Sequence, residues 1–316
     1  MSNYDIDFLG KKAEELGFVR DTLEKVTRIA DILEYLNTSP VLKEGLALKG
    51  GTAINLTIFN LPRLSVDIDL DYLITNSREE MLKSRESINS IIDRYMLSQR
   101  YTMNPKTKDP HSLDSRVYDY MGVSGNRDNI KIEINYSLRS HVLEAEERPI
   151  ITEHFSSEYK VKSLAPIELY GSKINALLSR AAARDLYDAR NIIHFSFFDE
   201  SEEELLRKCV VFYAAISAKD INKTFDTKAI DSITKRKIKT DLLPVIKRKD
   251  DFDLESAKKI VKEYISDLMV LTKDEKEFLE RFESGKYIPE LLFEDKEILG
   301  RIKNHPMAIW KTRKVQ

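Results

Sequence analysis

A glycine pair followed by a strand bearing two aspartates is the feature that most constrains this chain. The pair is Gly50-Gly51, and fifteen residues separate it from Asp67 in the segment Ser65-Val66-Asp67-Ile68-Asp69-Leu70. Side chains alternate along a strand, so Asp67 and Asp69 share one face, opposite the apolar neighbours. Two like charges need a counter-cation, and paired carboxylates with open solvent-side positions are typical ligands of Mg²⁺. The alternation therefore predicts a magnesium site at Asp67 and Asp69.

The glycines lie where a phosphate group can be bound. A short strand, residues 46–49, precedes them, and a helix to about Asn60 is predicted to follow Thr52. Backbone N–H groups at the start of a helix bind phosphate, and glycine lets the backbone approach closely. Gly50, Gly51, Thr52 and Ser65 are therefore candidate phosphate contacts. Taken alone, a Gly-Gly turn is merely a tight connection and Asp-x-Asp a solvated strand face; together, in this order, they indicate a functional site much more strongly.

A third carboxylate is predicted on a later strand. In Ile130-Lys131-Ile132-Glu133-Ile134-Asn135 the isoleucines take the core face, which sends Glu133 outward with Lys131 and Asn135. Glu133 could complete the metal site or act as general base for an incoming hydroxyl. The alternative is an ordinary exposed strand glutamate.

The pattern of elements predicts an α/β (α+β) fold. Amphipathic helices open the chain, and strands near 115–121 and 130–136 join those at 46–49 and 65–74 in a small mixed sheet with flanking helices. After Ala165-Pro166 the chain reads as helix after helix, with helices predicted over residues 167–180 and from 184 to about 195. We therefore expect a core over residues 1–160 and a mostly helical C-terminal lobe over 161–316.

The helical lobe contributes a second group of candidates. Lys173, Arg180, Arg184 and Asp188 fall on one polar stripe if the helix through them is continuous. Lys173 is then placed to contact a nucleoside triphosphate, and Asp188 could hold Lys173 or Arg184 in position or contact the nucleotide. Asp185 lies further round the helix and could equally be a local salt-bridge partner. A solvated face with charge pairs four residues apart is the alternative.

These motifs, in this order, resemble the polymerase β-like nucleotidyltransferases. Within them, Leu48-Lys49-Gly50-Gly51-Thr52-Ala53, Ser65-Val66-Asp67-Ile68-Asp69-Leu70, Lys173 and Arg184-Asp185-Leu186-Tyr187-Asp188 look like the AbiEii/AbiGii toxin family, over about residues 40–195. That family supplies toxins of type IV toxin–antitoxin and abortive-infection systems.

The resemblance implies an NTP-dependent transferase that uses Mg²⁺, moves a nucleoside monophosphate to an RNA such as the 3′ end of tRNA, releases pyrophosphate and blocks translation. It also implies a separate antitoxin of winged-helix type. The implied catalytic residues are Asp67, Asp69, Glu133, Lys173 and Asp188, with Asp67, Asp69 and Glu133 at the metal. Nucleotide contacts are expected from Gly50, Gly51, Thr52, Ser65, Lys173, Arg180 and Arg184.

Charge is unevenly distributed although the net charge is only −2. Ten basic and four acidic residues lie between Lys219 and Lys249, and a second basic cluster lies near the C-terminus. Such patches can engage a phosphate backbone without reading sequence, although ordinary surface lysines are an equal alternative. The patch favours RNA over a protein hydroxyl as acceptor, and a nucleotide- or RNA-binding protein without turnover is the third hypothesis.

Other classes of protein are disfavoured. The longest apolar run, Cys209–Ile216, is too short to cross a membrane, and the first ten residues lack the basic flank and apolar run of a secretory signal. A single cysteine fits a reducing compartment, so a cytoplasmic location is expected. Cys209 is expected to be buried and inert, and neither a Gly-x-Ser-x-Gly nor a Walker motif is present.

Overall fold

The computed structural model describes residues 4–150, 159–217 and 223–315. By internal contacts the chain divides into two compact units. The first comprises Met1–Arg139, Ala145–Leu164 and Pro244–Lys249; the second comprises Ser140–Glu144, Ala165–Leu243 and Asp250–Gln316.

The first unit carries all the strands of the described residues. Its helices are α1 (Ile6–Leu16), α2 (Arg20–Thr38), α3 (Pro40–Gly45), α4 (Gly50–Ala53), which continues as a π-helical segment (Ile54–Ile58), and α5 (Arg78–Ser98). Its strands are β1 (Leu46–Lys49), β2 (Asp67–Tyr72), β3 (Thr102–Met103), β4 (Leu113–Met121), β5 (Arg127–Asn135), β6 (Glu146–Pro149) and β7 (Lys160–Ser163).

These strands form one seven-stranded sheet in the order β3-β4-β5-β2-β1-β7-β6. The pairs β2–β5 and β1–β7 are parallel, and the other four pairs are antiparallel. The predicted mixed sheet with flanking helices is therefore confirmed, and β2 and β5, which carry the candidate carboxylates, are adjacent near its centre.

Local sequence signals account for several element boundaries. Gly17 ends α1 with a left-handed φ of 76°. Ser77 and Glu80 form the reciprocal capping box that begins α5. The strand predicted over 65–74 is shorter, Asp67–Tyr72, because residues before it run as a loop in which Leu64 N–H donates to the Val245 carbonyl.

The second unit is helical throughout the described part. It contains α6 (Pro166–Arg180), α7 (Ala183–His194), α8 (Glu200–Ile216), α9 (Lys228–Asp231), α10 (Lys235–Lys237), a π-helical segment (Ile238–Leu242), α11 (Leu254–Leu268), α12 (Lys273–Glu283), a 3₁₀ turn (Pro289–Leu291), α13 (Lys296–Ile302) and α14 (Pro306–Arg313).

The core of this unit forms where α6 and α8 cross. Every residue of Cys209–Ile216 on α8 is buried, and a Cβ built on Gly171 of α6 would lie 2.6 Å from the Cβ of Cys209. Complete burial raises the pKa of the Cys209 thiol well above its usual range, as expected for an inert cysteine. In the residues that the structure covers, no helix has the length and apolarity to cross a membrane.

Candidate active site

The turn after β1 packs directly against the second aspartate. Gly50 has a φ of +68°, a left-handed conformation that favours glycine. A Cβ at Gly50 would overlap the Asp69 carboxylate and lie 3.2 Å from the Asp69 Cβ. A Cβ at Gly51 would lie 2.6 Å from Nη2 of Arg63 and 3.0 Å from Oγ of Ser65. The two glycines therefore allow β2 and its preceding loop to approach the turn.

Thr52 joins this turn to β2 through its side chain. The residue is buried, and its hydroxyl donates a hydrogen bond to the backbone carbonyl of Asp67. Asn55 secures the same turn, because its Nδ2 donates to the Gly51 carbonyl at 2.7 Å. Since the Thr52 hydroxyl proton is engaged in this way, a phosphate contact from Thr52 would use its backbone N–H.

Strand register brings the three candidate carboxylates to one face of the sheet. Asp67 of β2 is paired with Lys131 of β5, and Asp69 with Glu133; Lys49 of β1 is paired with Asp69 on the other side. Paired residues on neighbouring strands point to the same face. Asp67, Asp69 and Glu133 are each half-buried on that face, whereas Ile68 and the isoleucines of β5 are fully buried.

Two lysines on the same face are ion-paired with carboxylates. Nζ of Lys131 lies 2.8 Å from Oε1 of Glu133, and Nζ of Lys49 lies 2.5 Å from Oδ1 of Asp71, a buried residue. Burial disfavours the charged form of Lys131. Its pKa is nevertheless raised, by the hydrogen bond to Glu133 and by the charges of Glu133, Asp67 and Asp69. Lys131 thus supplies positive charge to the carboxylate face, the sheet face that bears Asp67, Asp69 and Glu133.

The donor set fits a magnesium ion through the two aspartates. Mg²⁺ is commonly held by one or two carboxylates, with water and substrate phosphate completing its shell, and Asp67 and Asp69 offer such oxygens. Within the described part of the chain, no group of three or more His, Cys, Asp or Glu side chains is arranged to hold a metal ion. Glu133 instead contacts Lys131. Glu133 as a third ligand or general base stays a prediction.

The second unit contains a buried polar cluster built around Lys173. The condition of a continuous helix is not met: α6 ends at Arg180, because Ala181 takes a left-handed φ of 48°, and α7 begins at Ala183. Nζ of Lys173 lies 2.8 Å from Oδ1 of Asp185 and 2.9 Å from Oδ2 of Asp188. All three side chains are buried, so both aspartates, and not Asp188 alone, neutralise Lys173.

The arginines predicted on the same stripe have separate partners. Nε of Arg180 donates to Oδ2 of Asp185 at 2.8 Å. Burial opposes ionisation of Asp185, but the Lys173 ammonium and the Arg180 guanidinium hold its pKa at about 2. Nε of Arg184 instead donates to the backbone carbonyl of Asp241 at 2.9 Å. The two arginines of the predicted stripe therefore contact different groups, the Asp185 carboxylate and the Asp241 carbonyl.

The basic cluster predicted from 219 to 249 is also divided. Lys219 lies outside the described residues, and Lys235, Arg236, Lys237 and Lys239 belong to the second unit. Lys247, Arg248 and Lys249 belong to the first unit, where Arg248 N–H donates to the Gly17 carbonyl at 2.7 Å. The side chains of Lys247, Arg248 and Lys249 are exposed. Three of the cations are thus part of the unit that carries Asp67 and Asp69.

Arg63 is a residue near the glycine turn that the sequence patterns did not single out. It is buried, its guanidinium lies beside Gly51, and its Nη1 donates to the Leu64 carbonyl at 3.0 Å. Residue 63 forms an isolated bridge with Ile246, a contact between segments far apart in sequence. No local periodicity marks such a position.

Sequence and structure comparisons agree on the class of protein. The sequence model of the AbiEii family, described as nucleotidyl transferase AbiEii toxin of type IV toxin–antitoxin systems, matches residues 31–285. The chain belongs to this family: it is a nucleotidyltransferase toxin of the type IV class, for which an antitoxin partner and an NTP substrate are implied. No curated protein sequence matches the chain.

Among solved structures, the chain is similar to MenT4, the nucleotidyltransferase toxin Rv2826c from Mycobacterium tuberculosis H37Rv. The TM-score is 0.65 at 16% sequence identity, and the match covers 97% of this chain and 99% of that chain. At this identity the likeness shows a shared fold, and it extends over nearly the whole of both chains.

Proposed function

We propose that this protein transfers a nucleoside monophosphate from an NTP to the 3′ end of a tRNA, in a reaction that needs Mg²⁺. One observation carries the proposal: Asp67 and Asp69 share a sheet face beside the Gly50-Gly51 turn, in a member of the AbiEii family. Modification of the tRNA end would block translation and growth. NTPs and tRNA are cytoplasmic, so the toxin would act there.

In this proposal Asp67 and Asp69 hold the divalent cation, and Glu133 is its third ligand or the general base. A bound divalent cation would stabilise negative charge on the phosphate oxygens and bring them into line for displacement. The acceptor hydroxyl oxygen bonds to the α-phosphorus while the bond from that phosphorus to the bridging oxygen breaks, and pyrophosphate leaves with the electron pair. If Glu133 is the general base, its carboxylate accepts the proton of that hydroxyl.

The same proposal assigns contacts with the nucleotide to several residues. The backbone at Gly50 and Gly51 and the hydroxyl of Ser65 bind phosphate, as helix-start amides and short polar side chains commonly do. Lys173 contacts the triphosphate, and Asp188 positions Lys173. Arg180 and Arg184 are further phosphate contacts. The buried ion pairs of Lys173 support a fixed position for its ammonium group.

An RNA acceptor is supported by the exposed cations of the first unit. Lys247, Arg248 and Lys249 have exposed side chains on a backbone fixed by the hydrogen bonds Arg248 N–H to Gly17 and Leu64 N–H to Val245. Each of these cations that neutralises an RNA phosphate makes the binding constant fall more steeply as the salt concentration rises. The antitoxin is proposed to be a separate winged-helix protein, as in related systems.

The test is a labelling experiment with the purified protein. Total tRNA, Mg²⁺ and each α-³²P-labelled NTP in turn are incubated with wild type, Asp67→Ala and Asp128→Ala, and label is followed on denaturing RNA and protein gels. Asp128 is the matched control, because it is a half-buried carboxylate of β5 whose alternation places it on the opposite face from Glu133.

We expect label in tRNA with wild type and Asp128→Ala, and none with Asp67→Ala or with EDTA. Label in protein instead of RNA would replace the acceptor with a protein hydroxyl. Binding of NTP without label in either fraction would reject the transfer reaction and favour a binding protein without turnover.

A further inference from the structure

The carboxylate face already contains a cation that belongs to the chain. Lys131 lies directly opposite Asp67 across the parallel β2–β5 pair, and its Nζ is 2.8 Å from Oε1 of Glu133. Its side chain is 37% exposed, so solvent and ions can reach the ammonium group.

The surroundings of Lys131 are asymmetric in charge. On β2 it faces Asp67, on its own strand it is flanked two residues away by Glu133 and Asn129, and on β4 it faces the apolar Val117. Every charged neighbour in these positions is a carboxylate proposed as a metal ligand. The ammonium group therefore lies where it balances the same charges that a divalent cation would balance.

We propose that Lys131 is a positioning residue that acts as a resident counter-ion, holding the carboxylate face together before a divalent cation binds and competing with that cation for it. This rests on the metal site of the proposed function. While Lys131 holds Glu133, that carboxylate is kept from a metal shared with Asp67 and Asp69. Entry of the cation would replace the Lys131–Glu133 contact.

The competition has a measurable size. A unit charge a few ångströms from a bound cation, at a partly exposed site, changes the binding constant by roughly five- to tenfold. Removing the charge with Lys131→Met should therefore tighten nucleotide-free binding of a divalent ion by about that factor. Lys131→Arg keeps the charge and should restore the wild-type value.

The experiment is a titration of each nucleotide-free variant with Mn²⁺, followed by the EPR signal of the free ion. Lys43→Met is the matched control: Lys43 forms an ion pair of the same length, 2.8 Å with Glu147, at a similar exposure of 43%, away from the carboxylate face. Asp67→Ala reports whether the ion binds at the proposed site. Thermal unfolding with and without Mn²⁺ gives a second readout, because a ligand stabilises the folded state according to its affinity.

We expect Lys131→Met to bind Mn²⁺ about five- to tenfold more tightly and to gain more thermal stability from it than wild type. Lys43→Met and Lys131→Arg should stay within about twofold of wild type, and Asp67→Ala should bind at least tenfold more weakly. If Asp67→Ala weakens binding but Lys131→Met binds like wild type or less tightly, Lys131 is not a competitor, although the metal site stands. If Asp67→Ala binds Mn²⁺ as tightly as wild type, or wild type binds no ion, the metal site and the role of Lys131 both fall.

Discussion

Replacing Gly50 by alanine should disable the enzyme through Asp69 while leaving the fold nearly intact. Gly50 combines a φ of +68° with close packing against Asp69. Alanine in that backbone conformation costs about 1 kcal/mol. The new methyl group would also overlap the Asp69 carboxylate, and rotating the carboxylate would not relieve the contact of 3.2 Å with the Asp69 Cβ.

The magnitude follows from the displacement that this overlap forces. To restore ordinary contact near 3.5 Å, the Asp69 carboxylate must move by roughly 1 Å. A misplacement of that size at a reacting centre costs about a hundredfold in rate. We therefore expect Gly50→Ala to lose about two orders of magnitude in nucleotide transfer and about 1 kcal/mol in the free energy of unfolding.

Gly125 provides a control that separates strain from contact. It lies in the β4–β5 turn with a φ of +77°, and beyond its chain neighbours no atom of the described residues lies within 4 Å of an added Cβ. Gly125→Ala should therefore lose a similar amount of stability and keep transfer within about threefold of wild type. Initial transfer rates and urea unfolding of both variants measure these quantities. Near-wild-type transfer by Gly50→Ala, or an equal loss in both variants, would refute the reasoning.

Three further predictions concern the second unit. Gly171→Ala should lose about 1–3 kcal/mol in urea unfolding, because the methyl group meets Cys209 at 2.6 Å and pushes α6 away from α8. Gly300→Ala, whose added Cβ has no neighbour within 4 Å among the described residues outside its own helix, should be neutral or slightly stabilising, and equal values would refute the packing argument. Burial lowers the pKa of His305 to about 4, so between pH 6.5 and 4 this residue is protonated in the unfolded chain and neutral in the folded chain. Stability should therefore fall as the pH drops from 6.5 to 4, by about 2–3 kcal/mol from this group between pH 7.5 and 4.5. His305→Asn, which can still cap α14, should lose less stability over that interval in urea unfolding; an unchanged pH dependence would contradict the assignment. Asp185→Asn should cost about 3 kcal/mol by leaving Lys173 and Arg180 with less negative charge. Asp226→Asn, which affects an exposed pair with Lys228, should change stability little in the same assay, and similar losses would show that the buried cluster contributes little to stability.

Local patterns were sufficient for the elements that carry the carboxylates. Period-two alternation correctly placed Ile68 in the core and Asp67 and Asp69 on the opposite face. The same alternation correctly grouped Glu133 with Lys131. These features depend on neighbours along one strand, so a single sequence is enough to predict them.

The features that the sequence patterns missed depend on contacts between distant segments or on an unmarked backbone conformation. The break between α6 and α7 was expected between residues 180 and 184, but nothing in the sequence marked the positive φ of Ala181, which is neither glycine nor asparagine. The placement of Arg63 beside Gly51 and the pairing of residues 244–249 with the first unit join parts of the chain that lie far apart. Periodicity within a window carries no information about such contacts.

The two acidic clusters differ in how their charge is balanced, and this difference suits their proposed roles. Asp185 and Asp188 are buried and lie within 3 Å of Lys173, so breaking these contacts would leave an uncompensated buried charge. Asp67 and Asp69 are half-buried, and the lysine opposite Asp67 is partly exposed and bonded to Glu133. A partly solvated counter-ion can be replaced at modest cost, whereas a buried pair cannot. An exchangeable cation therefore belongs with Asp67 and Asp69, and a side chain fixed by buried ion pairs belongs at Lys173.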